Sequence, residues 1–164
     1  MPDVKTLYDE DFVTWLESQA AALRAAGRAG SNQEIDWENL AEEIEGLARS
    51  ERRELRSRLA VIIEHLVKLE HSPAQDPRND WVSTVRRERM DIELLLEDSP
   101  SLAREIPDMI QKEIRHGVEN AAMALERRRE LNASLQQAIK TKAYLDLFAY
   151  SPDQVLGDWF PPEP

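Results

Sequence analysis

Between Trp37 and Leu69 the apolar positions Leu40, Ile44, Leu47, Leu55, Leu59, Ile62, Leu66 and Leu69 recur at intervals of three, four or their multiples. At about 3.6 residues per turn this spacing puts them on one side of a single long helix, as a core-facing seam. Within that side Glu51, Arg58 and His65 stand seven residues apart and continue a file begun by Trp37 and Ile44. A polar triplet in an apolar seam is the chain's nearest approach to a functional constellation. Ser50, near the middle of the stretch, marks an expected bend or break.

The rest of the chain carries shorter stripes. A first helix is expected from about Asp9 to Ala26 on Phe12, Trp15, Leu16, Gln19 and Leu23, with Gly27 and Gly30 ending it. Asp36 is the expected N-cap of the long helix, its side chain taking an orphan amide hydrogen, with Ile35 placed to pack back as a staple. Residues 72–80 hold Pro73, Asp76, Pro77 and Asn79 and read as a loop, because proline removes a donor and clashes with the preceding turn. A third helix is expected from Trp81 to about Glu97, striped by Val85, Ile92, Leu95 and Leu96. Ser99 and Pro100 combine an N-cap with a first-turn proline, and Pro107 divides the next stretch into a short turn and a fourth long helix. That helix uses Met109, Ile110, Ile114, Val118, Ala121, Ala122 and Leu125, several of them small enough for close helix approach. Beyond Asn132 the signal weakens: Leu135, Ile139, Tyr144, Leu145, Leu147 and Phe148 suggest one more helix, and Ser151-Pro152 caps a short one with Val155 and Leu156. The tail from Phe160 reads as irregular, and no strand is read. The expected fold is all-α, a bundle of four to five main helices with a less regular C-terminal segment, in one domain spanning residues 1–164.

Composition narrows the function classes. At 164 residues the chain can build a core without metal or disulfide staples. It has no cysteine, which removes disulfides, thiol nucleophiles and thiolate metal sites. The first residues lack the basic and apolar regions of a signal peptide, and apolar runs such as residues 59–63 fall far short of the ~20 residues that cross a bilayer. A cytoplasmic protein away from membranes is expected. The net charge of -11 opposes nucleic acid as the main partner. That charge is uneven: up to Ala48 there are 11 acidic and 3 basic residues, whereas residues 49–58 hold 5 Arg and 2 Glu.

Several stretches together carry a family resemblance: Leu7-Tyr8-Asp9-Glu10-Asp11-Phe12 with Trp15-Leu16, the run Asp36-Trp37-Glu38-Asn39-Leu40-Ala41-Glu42-Glu43-Ile44-Glu45, Leu55-Arg56-Ser57-Arg58-Leu59, and His65-Leu66-Val67-Lys68. With residues 81–89 and Ser99-Pro100-Ser101-Leu102, they resemble in order the bacterial family called domain of unknown function 29. The likeness covers nearly the whole chain and is weaker from Asn132 onward; Val67 and Leu69 stand where similar proteins commonly carry leucine and an aromatic residue. It implies an almost wholly helical soluble domain and supplies no catalytic set.

Two chemistries can be tested against the residues. Arg58 and His65 match the Arg-six residues-His spacing of helical ribonucleases of the higher eukaryotes and prokaryotes nucleotide-binding superfamily, in which the histidine serves as acid or base and the arginine stabilises phosphate charge. The residue after Arg58 is Leu59, where those enzymes carry a polar side chain. The plainer role for Glu51, Arg58 and His65 is to complete hydrogen bonds beside the core. Glu113 and His116 have the Glu-x-x-His spacing of di-iron bundles, but no second such motif exists, since Ile62 precedes His65 and Lys68 precedes His71 by three. Arg49, Arg52, Arg53 and Arg56 form a stripe read as a solvated, partly paired face, and Trp15, Trp37, Trp81 and Trp159 read as core anchors.

These observations favour an interaction or scaffolding module without catalysis and without a cofactor, partnered by a protein or by itself. The acidic segment before Ala48 and the arginine stripe after it suggest an antiparallel twofold dimer, with Leu47 or Leu55 supplying affinity. A small helical ribonuclease or toxin-like component using His65 and Arg58 is the alternative, and a metal-binding bundle with Glu113 and His116 the second.

Overall fold

A computed structural model of the chain describes residues 3–164. The fold is all-α, and no strand occurs among the described residues. The helices are α1 (Val4–Glu10), α2 (Phe12–Ala29), α3 (Trp37–His71), α4 (Arg78–Asp98), α5 (Ile106–Arg127), α6 (Ala133–Thr141), α7 (Tyr144–Leu147) and α8 (Pro152–Leu156), with a 3₁₀ turn at Pro100–Glu105. Two compact units can be distinguished. One takes the chain to Leu55 together with Leu94–Arg104; the other comprises Arg56–Glu93 and Glu105–Pro164.

In the first unit the single helix expected from Asp9 is two helices. Asp11 adopts an extended backbone between them and caps α2, its Oδ1 accepting the Thr14 amide at 2.9 Å. Its other bonds fix the kink: the Ser101 amide donates to Oδ2 at 2.7 Å and the Ser101 hydroxyl to Oδ1 at 2.9 Å. These donors hold the Asp11 carboxyl below the ordinary carboxylate range against the opposing effect of burial. Ser99 does not cap the turn after it; its buried Oγ accepts the Val13 amide at 3.2 Å. Gly30, at φ 81, ends α2, but Gly27 remains helical. A Cβ on Gly27 would lie 2.7 Å from the Trp37 Cβ, so its role is to let α3 start close against α2.

Helix α3 runs unbroken for 35 residues, so Ser50 neither bends nor ends it. Asp36 caps it as expected, its Oδ1 taking the Asn39 amide. The seam through residues 37–55 is not the leucine seam expected from the spacing. Ala41, Ala48 and Leu55 are buried, whereas Leu40 and Leu47 are 42% and 49% exposed. The facing surface of α2 contributes Val13, Leu16 and Ala20.

In the second unit the leucine seam holds: Leu59, Ile62, Leu66 and Leu69 are at most 1% exposed. Every expected core position of α5 is buried, together with Gly117. A Cβ there would stand 2.5 Å from Ile63 Cγ2, so α3 and α5 approach at a contact only glycine allows. Helix α4 begins three residues before Trp81, at Arg78. The C-terminal segment is a series of short helices: Asn132 caps α6 through the Leu135 amide, and Ser151 and Gln154 form a reciprocal capping box on α8. Leu145 and Leu147, expected to be apolar packing positions, are exposed, while Tyr144, Phe148 and Tyr150 carry the burial.

Candidate functional site

The file Trp37, Ile44, Glu51, Arg58 and His65 lies along the edge of the buried surface of α3, each member half-buried. Its polar members have separate surroundings and do not meet one another. In the first unit Glu51 has its carboxyl pushed up by burial and by the negative charges of Glu54 and Asp98. In the second unit Arg58 donates to Glu88 Oε2 at 3.0 Å and Asp91 Oδ2 at 2.8 Å, both on α4. Two carboxylates around this guanidinium oppose the approach of a phosphate.

His65 is held within its own helix. Its Nδ1–H donates to the Val61 carbonyl at 2.8 Å, which leaves Nε2 as an acceptor facing Lys68 Nζ at 3.3 Å. Burial first, then the Lys68 charge, lower its pKa below the ordinary histidine value, so the neutral imidazole is the resting form. Lys68 is buried, pairs with Glu64 at 3.0 Å and lies 5.4 Å from the centroid of Trp81. In the sequence Lys68 is visible only as part of a motif, because helical spacing places it well off the leucine seam.

The Glu-x-x-His pair does meet: His116 Nδ1 lies 2.8 Å from Glu113 Oε2. Glu113 is buried, however, and its Oε1 accepts both Arg56 Nε at 2.7 Å and Arg56 Nη2 at 2.6 Å. The bidentate guanidinium satisfies the charge a metal would need, and no group of three or more candidate ligands gathers among the described residues.

Three members of the arginine stripe, Arg49, Arg52 and Arg56, are paired inside the chain. Arg49 reaches Glu42 at 2.7 Å and Arg52 reaches Glu17 of α2 at 2.7 Å, while Arg24 of α2 bonds Glu38, Glu42 and Glu45. Part of the charge expected to set an antiparallel pairing of two copies is thus met within the first unit. Leu55, one of the residues expected to supply affinity, is fully buried; Leu47 is exposed.

Of the tryptophans only Trp81 is buried; Trp15, Trp37 and Trp159 are half-buried. Arg89 is a structural residue that spacing alone does not single out. It is buried at the gap in the α4 stripe between Val85 and Ile92, and its guanidinium donates to the carbonyls of Val155, Gln154 and Trp159 at 2.7–2.9 Å. Phe160 covers it at 4.7 Å, which fastens the end of the chain to α4.

No helix is long and apolar enough to cross a membrane among the described residues. No curated protein matches the chain. Among solved structures, an α-helical protein of unknown function from Rhodospirillum rubrum is 28% identical, with a TM-score of 0.70 over 92% of this chain and 89% of that one. The family model described as domain of unknown function DUF29 matches residues 7–160, nearly the whole chain. The chain belongs to this family of helical domains.

Proposed function

We propose that this protein is a non-catalytic interaction module that associates with further copies of itself. The observation that carries the reading is the uncovered apolar edge of α3 in the first unit. Leu40 and Leu47 are both exposed, and half-buried Ile44 lies between them at helical spacing. Single exposed leucines are ordinary, but an apolar strip on one helix face suits a partner surface. Meanwhile Arg58, His65 and Glu113, the groups that would serve catalysis, each have partners within the chain.

The rim of the strip selects its partner. Glu43 is exposed on the same face, so two copies of this strip would bring acid against acid. An apolar surface with a cation on its rim fits better, and the second unit carries one. Leu145 borders a cavity of about 360 Å³ edged by Lys142, by Asp146 and by Arg115, which pairs with Glu119 at 3.0 Å, and Leu145 and Leu147 are 53% and 55% exposed. The α3 strip of one copy on the α7 surface of another is a heterologous contact, which closes into rings or extends.

Light scattering over a hundredfold range of protein concentration tests this. Mass should rise with concentration, fall with added salt, and stay at one chain in Leu47→Asp and in Leu145→Asp. A single chain under every condition would overturn self-association. RNA incubated with the protein from about pH 5 to 9 should stay intact. Cleavage lost in both His65→Ala and Arg58→Ala, with folding retained, would replace the interaction reading by nuclease chemistry.

A further inference from the structure

The first unit contains a hollow that neither the α3 strip nor the polar file uses. Tyr8, Asp9, Phe12 and Asp98 line a cavity of about 340 Å³, at the small end of the ~300–1,000 Å³ usual for ligand sites. The aromatic side is preorganised. Tyr8 meets Trp15 edge-to-face with centroids 4.9 Å apart, Phe12 stands 5.9 Å from Tyr8 at 85°, and Phe12 and Trp15 stack at 6.2 Å. Tyr8 is nevertheless 51% exposed, an unusual cost for a ring fixed among two others.

The opposite side is negative in three ways. Asp9 and Asp98 place two carboxylates on the cavity, and neither is ion-paired among the described residues. Asp98 is also the last residue of α4, a 21-residue helix whose final turn has no basic side chain. A carboxylate at a helix C-terminus lies against the negative end of the dipole, where a cation would be stabilised. Finally, the Asp98 charge is felt at Glu51, whose own carboxyl is pushed up by burial, Glu54 and Asp98. Two carboxylates, one of them at a helix end, beside two aromatic rings make a setting that suits a positive group.

We propose that this hollow binds an organic cation, a guanidinium or alkylammonium group, between the Tyr8 and Phe12 rings and the Asp9 and Asp98 carboxylates. Ring faces attract such a cation through their quadrupole, and it sheds water readily. A small, strongly hydrated divalent ion would instead require several oxygen ligands, and the hollow offers two carboxylates beside aromatic carbon. Asp11 is not part of the site, because Thr14 and Ser101 occupy its oxygens. The site stands independently of self-association through α3.

The test is a titration followed by amide and indole NMR signals, using N-acetyl-arginine amide, its neutral isostere N-acetyl-citrulline amide, free arginine, and a short alanine peptide with one central arginine. The arginine amide should give saturable shifts confined to Tyr8, Phe12, Trp15 and Asp98, and citrulline should not. Tyr8→Ala and Asp98→Asn should each weaken binding about tenfold. Peptide binding tighter than free arginine would assign the cation to a protein side chain; the reverse would assign it to a small metabolite. Absence of saturable shifts, equal binding of citrulline, or unchanged affinity in Asp98→Asn would overturn the proposal. The last holds even if Tyr8→Ala fails to fold.

Discussion

Residues 37–55 and 56–71 of α3 are built on one seven-residue file and stabilise it by different means. Ala41, Ala48, Leu55, Ile62 and Leu69 run through both stretches and are all at most 1% exposed. The difference lies in the neighbouring file. In the first stretch it holds Glu45 and Arg52, ion-paired with Arg24 and Glu17 of α2; in the second it holds Leu59 and Leu66, fully buried. Alanine in the seam lets helices approach closely but buries little area, and exposed ion pairs add little more. The first stretch is held lightly and keeps Leu40 and Leu47 outside, with Leu55 its one buried leucine; the second places its leucines in the core. The strip proposed as the partner surface thus lies where the same helix is least committed to its own interior.

The largest expected effect comes from that contrast. Leu59→Ala or Leu66→Ala should destabilise by about 2–5 kcal/mol, through lost transfer energy and a residual cavity. Leu40→Ala or Leu47→Ala should change stability by no more than about 0.5 kcal/mol. Urea denaturation of the four variants measures both, and a Leu47→Ala loss as large as that of Leu66→Ala would erase the distinction.

Next in size is Gly117→Ala. Its methyl group would have to displace the Ile63 side chain, whose Cβ lies 2.8 Å from the added atom and cannot swing aside. Overpacking of this kind costs about 1–3 kcal/mol. Ile63→Ala, which removes the Cγ2 that the added methyl group meets, should cost less in the Gly117→Ala background than alone if the clash is the cause, and simple additivity of the two would argue against it.

The second stretch is legible in the sequence, and the first is not, for a reason these substitutions expose. Leucine spacing locates a seam only where leucines are buried. At residues 37–55 the core is marked by Ala41 and Ala48, whose small side chains give a weak signal, so spacing assigns Leu40 and Leu47 to a seam they do not occupy. The boundary between α1 and α2 escapes for a similar reason. In the sequence Asp11 is one of several acidic residues favouring a helix start, whereas its contacts with Ser101, ninety residues away in sequence, make it the corner. Caps that act locally are readable: Asp36 and Ser151 both bond within three residues. Glu51, Arg58 and His65 can be seen as a file at the core edge, but Arg58 finds its partners on α4, His65 within its own turn, and Glu51 stands near other carboxylates, none of which heptad spacing encodes.

Acid should separate the stretches by a smaller margin. His65 and His71 lie in the second stretch, and burial lowers the pKa of each below the ordinary value near 6.5. For His71 the geometry agrees, since Asn132 Nδ2 donates to its Nδ1 and so favours the unprotonated ring. The unfolded chain takes up these protons first as pH falls. The histidine contribution to stability is therefore intact above about pH 6.5 and is lost as pH drops through the folded values. The urea midpoint should decline between about pH 7 and 5, and less steeply in a His65→Gln, His71→Gln double variant. Parallel profiles would mean the histidines are not what titrates.

Glu51 should give the smallest effect, with the opposite sign. Its folded pKa is raised, by burial first and then by Glu54 and Asp98. The unfolded chain thus loses this proton at lower pH than the folded one, and folding incurs an electrostatic penalty that appears as pH rises through the ordinary glutamate value. Glu51→Gln removes the charge and keeps the shape. Because the side chain is only half-buried and screened by solvent, the gain at neutral pH should be a few tenths of a kcal/mol, vanishing below about pH 4 where both states are protonated. A loss of stability at neutral pH would show instead that the carboxylate holds a favourable contact in the first unit. Asp98→Asn shares the same crowding, so the two substitutions together should gain less than the sum of each alone. Full additivity would mean that Asp98 acts on the cavity beside Tyr8 without acting on Glu51.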